Sequence, residues 1–416
     1  MKLKRRPSNS GGRFLSDNIE ECIMATTKIK KKEDKGKYIG TGCTLLDLNV
    51  GGKRNRFGYP AGKIINIVGD KSSGKTFICC EIIASAYHKY GNKLKWVYDD
   101  SESGFTFNTK KLYGFEIMPV DETQRTHSTT VQEMSGNFRK FLKTIDEENG
   151  EFGIYVIDSL DGLSSNELEK IADARQKAYE KDTEYKQGSY QMESAKFLSQ
   201  EFFRTLAGQI EHKNVLLIFV SQVRHNPDPF SMKKWTRAGG KALDFYAYSC
   251  LWLQTLKKLK KAGRVNGVMI RAISDKLKAP RPFREIEFSM YFDYGIDDIG
   301  SNLDYLYDLR HKKEWTLKAA ANKCVWEGEE YTRDELVEMF DSGELNPKLL
   351  RRKVIERWEE LEKEAASNRS GKYAKKVKTN VSTTEDNATS NDSENGDRAL
   401  VKKRGRPPKK STKSTD

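Results

Sequence analysis

The chain lacks the features of membrane and exported proteins. It has no run of 18 apolar residues, and its first residues do not show the charged and then apolar order of a signal peptide. A membrane-spanning helix needs about 20 predominantly apolar residues, and a secretory leader needs an apolar stretch of its own. We therefore expect a soluble, unexported, cytoplasmic protein without a membrane partner.

Cysteine pairs with the spacing of a zinc site are also absent. The six cysteines (22, 43, 79, 80, 250 and 324) form no C-x-x-C pair and have no partnered histidines. This spacing argues against a structural zinc site. Buried free thiols in a reducing compartment are the expected state.

The middle of the chain has almost no net charge, although the whole chain carries +14. Residues 1–37 contribute +6 and residues 367–416 contribute +7, which leaves +1 for residues 38–366. Both ends are rich in Ser, Thr, Asn and Lys and poor in large apolar residues, so we expect them to be disordered. Flexible basic arms commonly contact nucleic acid, and the alternative is that they only keep the protein soluble.

Residues 69–76 fit the full G-x-x-x-x-G-K-[ST] pattern of a phosphate-binding loop. The preceding residues 63–69 predict a short apolar strand, and residues 76–90 have apolar positions at helical spacing. Glycines let backbone N–H groups converge on phosphate oxygens, and the helix N-terminus adds partial positive charge. We expect ATP here, with Lys75 on its phosphates and the Thr76 hydroxyl on Mg²⁺. The predicted nucleotide-binding residues are Gly69, Asp70, Lys71, Ser72, Ser73, Gly74, Lys75, Thr76 and Asp158.

Two further predicted strands, residues 93–102 and 152–160, end in acidic residues. The second would deliver Asp158 to the phosphate site, where the carboxylate holds Mg²⁺ through water. The alternative is an ordinary acidic turn at a strand end. On the first strand, neighbouring acids point to opposite faces, so only some of them can face the nucleotide. We choose Glu102 as the carboxylate that orients and deprotonates the attacking water.

A fourth predicted strand, residues 214–221, is almost purely apolar and ends at Gln222. A glutamine there can hydrogen-bond the γ-phosphate and report its loss to the segment that follows. That segment, residues 223–240, is predicted to be a long loop without secondary structure. Its cations and aromatics suit single-stranded DNA, because charges follow phosphates while rings stack on bases; the alternative is an ordinary surface loop. The predicted DNA contacts are Arg224, Phe230, Lys233, Lys234, Trp235 and Arg237.

The order of these parts resembles the RecA-type strand-exchange recombinases, including their phage UvsX-like branch. The resemblance covers roughly residues 40–295. The phosphate loop alone is common to many ATPases, whereas the serial combination is far more specific. The resemblance is carried by residues 58–76, 98–104, 156–159, 197–200, 206–208, 216–222 and 239–247.

The resemblance implies an α/β, RecA-like P-loop ATPase core with a mostly parallel central sheet. It implies a DNA-dependent ATPase whose subunits form a helical filament on single-stranded DNA, pair it with double-stranded DNA and exchange strands in recombination and repair. Single-strand-binding and mediator proteins would be further partners, in the cytoplasm of a bacterium or of a phage's bacterial host.

The resemblance also implies roles for individual residues. Glu102 matches the water-activating glutamate of the family, Gln222 matches its γ-phosphate sensor, and residues 223–238 match its second DNA-binding loop. Lys276 and Lys278 match the region that supplies cations to the γ-phosphate of a neighbouring subunit, where they would stabilise charge in the transition state. We favour Lys276, and the alternative for both is a solvated strand end.

The chain departs from the family pattern at two places in its core. Residues 164–195 are longer and more charged than expected, and the first DNA-binding loop is matched poorly there. The aromatic residue expected against adenine has no clear counterpart, since Thr109 falls near that position with Phe107 and Tyr113 close by.

Two other functions use the same ATP-binding parts. A RecA-fold helicase or motor would form closed hexameric rings. A regulatory filament protein would use ATP only as a switch and would not exchange strands. The serial combination of motifs favours the recombinase over both.

The predicted organisation is a basic arm (1–37), an ATPase core (38–299), a small helical domain (300–366) and a basic tail (367–416). Predicted helices of the third part are 315–325, one that opens with a capping box at residues 332–335, and 348–366. In the tail, residues 402–410 resemble an AT-hook, in which Arg404 and Arg406 enter a narrow minor groove. A generic basic tail, or a nuclear-localisation-like run, explains this composition nearly as well.

Overall fold

The computed structural model describes residues 37–52, 56–181, 193–226, 235–279, 281–309, 323–367 and 369. Several predictions fall outside these residues. They concern the N-terminal arm before residue 37, the tail from residue 370 with Arg404 and Arg406, and the predicted DNA contacts Phe230, Lys233 and Lys234. The predicted domain boundaries stay predictions.

The elements alternate between strands and helices through the first half of the chain, as the sequence patterns predict. The strands are β1 (Tyr38–Ile39), β2 (Tyr59–Pro60), β3 (Ile64–Gly69), β4 (Leu94–Asp100), β5 (Phe152–Asp158), β6 (Val215–His225), β7 (Trp235–Arg237), β8 (Ser249–Lys261), β9 (Arg264–Leu277), β10 (Glu285–Tyr291), β11 (Gly295–Asp297), β12 (Lys323–Trp326) and β13 (Glu329–Thr332). The helices are α1 (Thr44–Gly51), α2 (Lys75–Tyr90), α3 (Thr109–Tyr113), α4 (Val131–Thr144), α5 (Asn166–Glu180), α6 (Glu193–Phe197), α7 (Phe203–His212), α8 (Gly240–Tyr246), α9 (Asp298–Leu306), α10 (Arg333–Asp341) and α11 (Pro347–Glu364). A π-helical turn, Leu198–Phe202, joins α6 to α7.

The central sheet has the strand order β11-β10-β9-β8-β3-β6-β5-β4. Strands β8, β3, β6, β5 and β4 run parallel to one another. Strands β9, β10 and β11 extend the sheet on one side through antiparallel pairs. The prediction of an α/β core with a mostly parallel central sheet is confirmed.

The central strands are buried on both faces, which explains their continuous apolar sequences. Every residue of β3 and of β5 is buried. Along β5, alternate side chains join two different apolar clusters: Val156 packs in the cluster that contains α2, and Tyr155 packs in the cluster that contains α4. Helices therefore cover both faces, and the carboxyl ends of the parallel strands remain as the place for a ligand.

Strand β6 is longer than predicted. It does not end before Gln222 but continues through His225. Its last three residues pair antiparallel with β7, with Val223 opposite Arg237 and His225 opposite Trp235. The prediction of a loop without secondary structure is therefore wrong at both ends of this segment, which form a two-stranded ribbon. The extension depends on pairing with β7, which the polar sequence after residue 221 does not indicate.

The C-terminal part contains strands as well as helices, whereas the sequence predicts only helices. The predicted helix 315–325 lies mostly outside the described residues, and its last three residues belong to β12. Strands β12 and β13 form a hairpin whose two turn residues, Glu327 and Gly328, both have positive φ. The capping box at Thr332 and Glu335 is confirmed, and α11 corresponds to the predicted long helix.

Candidate nucleotide and DNA site

The predicted phosphate loop connects β3 to α2. Ser72 and Gly74 have φ angles of 60° and 85°, which lie in the left-handed region and turn the backbone sharply. A Cβ at Gly69 would overlap the hydroxyl of Ser73, so a larger residue at the end of β3 would force Ser73 to move. The loop thus has the close backbone packing that a phosphate cradle requires.

The polar groups of this loop fit a bound triphosphate. No side chain caps the N-terminus of α2, so its first N–H groups are left for another acceptor. The hydroxyl of Ser73 is buried and has no hydrogen-bond partner among the described residues. Lys75 Nζ donates to the carbonyl of Asp70 at 2.9 Å. Burial lowers the pKa of Lys75, and the carboxylates of Asp158 and Glu102 oppose that shift.

Asp158 ends β5 beside the first turn of α2. The hydroxyl of Thr76 donates to Asp158 Oδ2 at 2.7 Å, and the hydroxyl of Tyr98 donates to the same oxygen at 2.6 Å. Burial raises the pKa of Asp158, and both hydrogen bonds act in the opposite direction. The structure therefore places the hydroxyl and the carboxylate predicted for Mg²⁺ next to each other. Oxygen ligands of this kind suit that ion.

The three acids at the end of β4 have different environments. Asp99 accepts hydrogen bonds from the backbone and hydroxyl of Ser128 at 2.8 and 2.6 Å, and from the hydroxyl of Tyr155 at 2.8 Å. Asp100 accepts from the backbone N–H of Phe105 at 2.9 Å. Both carboxylates are buried and hold neighbouring segments in place. Glu102 lies exposed in the turn after the strand, so it is the acid of this group that can face a nucleotide.

Glu102 contacts the ends of two other strands. Gln222 Nε2 donates to Glu102 Oε1 at 2.9 Å. The hydroxyl of Ser159, which follows Asp158, donates to the same carboxylate oxygen. The three segments predicted to act on ATP thus meet at one point. The chemical roles of these residues stay predictions.

Asp161 belongs to this cluster and is missing from the sequence prediction. The backbone N–H of Gln222 donates to Asp161 Oδ2 at 2.7 Å, and Arg224 Nε donates to Asp161 Oδ1 at 2.9 Å. The only sequence signal for this residue is a second carboxylate three residues after Asp158. Its partners lie more than 60 positions further along the chain.

The described ends of the predicted DNA loop differ in exposure. Trp235 is 58% exposed and makes an edge contact with His225, with ring centroids 5.7 Å apart. The side chain of Arg237 is only 6% exposed and pairs with Asp244 at 2.6 Å. Arg224 is 58% exposed. Trp235 and Arg224 are therefore accessible to a nucleic acid, whereas Arg237 anchors the ribbon to α8.

The family model described as "RecA N-terminal domain" matches residues 142–297. The chain is 26% identical over 321 residues to "Protein RecA" of Prochlorococcus marinus, covering 76% of each chain. It is 26% identical over 323 residues to "Protein RecA" of Chloroherpeton thalassium, covering 74% of this chain and 82% of the relative. For "Protein RecA" of Aquifex pyrophilus the identity is 25% over 340 residues, with 78% and 89% covered. The chain is therefore similar to RecA proteins over about three quarters of its length.

The matched residues 142–297 include the two lysines predicted to act across a subunit interface. Lys276 pairs with Cys250 in the sheet, near the start of β8, whereas Gly69 of the phosphate loop pairs with Leu253 further along β8. The lysines therefore lie toward the opposite end of the strands from the phosphate loop of their own subunit. Lys276 Nζ donates to the carbonyl of Phe245 at 3.2 Å. Burial, and secondly the charge of Lys278, lowers the pKa of Lys276.

One of the three residues considered for adenine has an exposed aromatic ring. Thr109 is buried, and its hydroxyl accepts from the backbone N–H of Ile117 at 3.0 Å. The hydroxyl of Tyr113 is buried beneath the surface. Phe107 is 38% exposed, and its ring lies edge-on to that of Phe77 with centroids 5.2 Å apart. Since Phe77 directly follows Thr76, Phe107 lies close to the phosphate loop.

Three sequence expectations concerned features of the whole chain. All five cysteines among the described residues are free and buried. Within the described ranges, no group of three or more His, Cys, Asp and Glu side chains could hold a metal ion by itself. No helix of the described part of the chain is long and apolar enough to cross a membrane.

Proposed function

We propose that the protein is an ATP-dependent DNA recombinase of the RecA type, in the phage UvsX-like branch. It hydrolyses ATP with Mg²⁺ when bound to single-stranded DNA, on which its subunits form a helical filament. The filament pairs that strand with a homologous duplex and exchanges strands. The observation that carries the proposal is the contact between Gln222 and Glu102, because Gln222 is also part of the strand that forms the ribbon predicted to hold DNA.

The phosphate loop supplies the binding site for ATP. The uncapped N-terminus of α2, the unpartnered hydroxyl of Ser73 and the cation of Lys75 would bind the phosphate oxygens. Thr76 and Asp158 would hold Mg²⁺ together with phosphate oxygens and water, which is the usual coordination of this ion. When bound, Mg²⁺ neutralises charge that develops on the phosphates.

Glu102 would act on the water that attacks the γ-phosphate. Its carboxylate is exposed beside the phosphate loop, and Ser159 and Gln222 fix its orientation. A general base must lie within hydrogen-bond reach of the proton that it accepts. Gln222 would exchange its contact with Glu102 for one with the γ-phosphate, and this exchange would report the state of the nucleotide to the ribbon.

Lys276 and Lys278 would complete the site from a neighbouring subunit. Their position away from the phosphate loop of their own subunit supports action in trans. A head-to-tail interface of this kind repeats into an open helix when the rotation does not close. Hydrolysis would then depend on assembly, since each site needs cations from the next subunit.

The bound strand would lie along the ribbon and its loop. Trp235 offers an exposed ring for stacking, and Arg224 offers a cation for a phosphate. Because residues 38–366 carry a net charge of only +1, attraction to DNA would depend on such local groups and on the basic arms. Single-strand-binding and mediator proteins would regulate loading.

Two measurements on the full chain test this proposal. ATP hydrolysis should rise steeply when single-stranded DNA is added. Electron microscopy with single-stranded DNA and a non-hydrolysable ATP analogue should show open helical filaments. Closed rings would instead indicate a helicase or motor, and filaments that fail to exchange strands in a single-turnover assay would indicate an ATP-switched binding protein. A hydrolysis rate that does not respond to DNA would overturn the proposal.

A further inference from the structure

Asp161 joins the ribbon to the turn that follows β5. Its side chain is only 7% exposed, and its two carboxylate oxygens have different partners. Oδ2 accepts from the backbone N–H of Gln222 at 2.7 Å. Oδ1 accepts from Arg224 Nε at 2.9 Å and Nη2 at 2.6 Å. One carboxylate therefore holds both the predicted γ-phosphate sensor and a predicted DNA contact.

The position of Asp161 is fixed by the turn in which it lies. Leu160 is buried beside it, and Gly162 N–H donates to the carbonyl of Ser159 at 3.1 Å. The turn also packs tightly against the turn that holds Glu102, since a Cβ at Gly162 would lie 2.9 Å from Ser101 Oγ. A displacement of Asp161 would therefore be transmitted to Glu102 by direct contact.

The two sides of the Asp161–Arg224 ion pair differ in their access to solvent. Arg224 is 58% exposed, so a phosphate can reach its guanidinium, whereas the carboxylate of Asp161 is almost buried. Arginine binds phosphate and carboxylate in the same bidentate way. A DNA phosphate would thus compete with Asp161 for Arg224.

We propose that Asp161 is a positioning residue that couples DNA binding to the ATP site by holding Arg224 until a DNA phosphate replaces it. The inference rests on the proposed function and names the regulation of the same site. Without DNA, the pair keeps the end of β6 in the arrangement in which Gln222 donates to Glu102. This contact occupies an oxygen of the catalytic carboxylate and keeps the hydrolysis rate low.

Removal of Arg224 by DNA would leave Asp161 with an unpaired charge. A nearly buried carboxylate that loses its partner is unfavourable, so its turn and the start of the ribbon would rearrange. Gln222 would then leave Glu102 and become available to the γ-phosphate. The same sequence of contacts would operate in reverse when ATP is hydrolysed, because the coupling between two binding sites is reciprocal.

The test is the variant Asp161→Asn in the full-length chain, compared with wild type in ATP hydrolysis without DNA and across a titration of single-stranded DNA. The amide oxygen can still accept from Gln222, so the change removes mainly the attraction to Arg224. We expect DNA-independent hydrolysis to rise roughly fivefold, because a change of this size corresponds to the free energy that one partly exposed ion pair contributes. The DNA concentration for half-maximal stimulation should fall by a similar factor. A merely structural role would lower activity and would not raise the basal rate.

Asp244→Asn is the matched control. It removes one negative charge from α8, where Asp244 pairs with the ribbon residue Arg237 and, within the described ranges, makes no hydrogen bond or ion pair with Gln222 or Asp161. It should leave the basal rate unchanged. Arg224→Gln should raise the basal rate as Asp161→Asn does while weakening DNA binding, and the double variant should show no further rise in the basal rate.

The outcomes separate this inference from the proposed function. If wild-type hydrolysis responds to DNA but Asp161→Asn changes neither the basal rate nor the half-saturating DNA concentration, the inference is wrong and the proposed function stands. If wild type does not respond to DNA, the proposed function fails. If, in addition, Asp161→Asn has the same basal rate as wild type, the inference is overturned as well. Thermal unfolding of each variant checks that it is folded.

Discussion

Gln222 Nε2 lies 2.9 Å from Glu102 Oε1, although the two residues are 120 positions apart in the chain. The contact joins the turn after β4 to the middle of β6. Ser159, at the end of β5, donates to the same oxygen. Residues of three adjacent parallel strands, or of the turns that follow them, therefore meet at a single carboxylate. A change in the contacts of Gln222 must alter the environment of the group proposed to activate water.

Replacement of Gln222 should separate ATP hydrolysis from DNA binding. In Gln222→Ala the ribbon and Glu102 lose their side-chain connection, while the backbone hydrogen bond to Asp161 can persist. We expect the stimulation of hydrolysis by single-stranded DNA to fall by about tenfold or more, which corresponds to ~1.4 kcal/mol of coupling free energy. The measurement is the ratio of steady-state rates with and without DNA. Gln209→Ala, an exposed glutamine on α7, should keep the wild-type ratio.

Loss of the carboxylate at Asp158 should prevent productive use of Mg²⁺. Asp158→Asn keeps an oxygen that can accept from Thr76 and Tyr98, so the fold should be retained. We expect the turnover rate to fall by about 100-fold or more, the size of effect seen when one group that stabilises the transition state is removed. Hydrolysis measured across a Mg²⁺ titration checks this. The exposed Asp121→Asn is the control, and normal turnover in Asp158→Asn would contradict the proposed metal role.

Local patterns predict the phosphate loop and the strands around it. The octet, the apolar run of β5 and the acid at its end are all signals within a few residues, and the structure confirms the elements that they predict. The choice among the acids of β4 follows partly from strand geometry. The reason that Asp99 and Asp100 are unavailable, however, is their hydrogen bonds to Ser128 and Phe105, and the partner of Asp99 lies far along the chain.

Features that depend on contacts between separate segments could not be predicted in the same way. The extension of β6 requires β7 as a partner, and the importance of Asp161 requires residues 61 and 63 positions away. The hairpin of β12 and β13 did have a local signal. Cys324 and Trp326 are buried in alternation, and Gly328 follows in a two-residue turn, which is a typical hairpin pattern.

Phe107 should contribute to the binding of the adenine base. Its exposed ring lies beside Phe77 and forms one wall of a cleft of about 260 Å³ that also includes Met118 and Arg125. Stacking of a base on an aromatic ring contributes about 1–3 kcal/mol. Phe107→Ala should therefore raise the dissociation constant for ATP roughly tenfold, as measured by calorimetry. Inorganic tripolyphosphate, which has no base, should bind both proteins equally. If the substitution weakens the binding of ATP and of tripolyphosphate equally, it damages the phosphate loop instead.

Lys276 should act on the phosphate site of a neighbouring subunit. Lys75→Ala would remove the phosphate-loop cation, and Lys276→Ala would remove the cation supplied in trans, so each variant alone should hydrolyse ATP poorly. In mixed filaments, some interfaces combine an intact phosphate loop with an intact Lys276, and activity should partly return. The measurement is DNA-stimulated hydrolysis as a function of mixing ratio. The same experiment with Lys278→Ala shows which lysine is required, and a mixture no more active than the separate variants would contradict action in trans.

Asp47 should make the stability of the protein depend on pH near neutrality. Burial raises its pKa to about 7, against hydrogen bonds from Thr41 and the charge of Arg351. Between the ordinary carboxyl pKa of about 4 and pH 7, the folded state therefore binds a proton that the unfolded state has lost, so stability falls as pH rises through this range. For one buried carboxyl group, the decrease in the free energy of unfolding over this range has an upper limit of about 4 kcal/mol. Glu81, whose pKa burial also raises to about 7, adds to the wild-type dependence with the same sign.

Asp47→Asn removes this titration but keeps an oxygen that can accept from the backbone N–H of Thr41, which donates to Asp47 at 2.7 Å. We expect the free energy of unfolding to decrease less between pH 5 and pH 8 in this variant than in wild type. Denaturant titrations at several pH values provide the measurement. Asp121→Asn is the matched control at an exposed site: the pKa of Asp121 is lowered by hydrogen bonds from Thr123, so its titration lies below this range. If the free energy of unfolding has the same slope against pH in Asp47→Asn and in wild type, Asp47 is already ionised in the folded protein at pH 5. Its contact with Arg351 then outweighs the cost of burial.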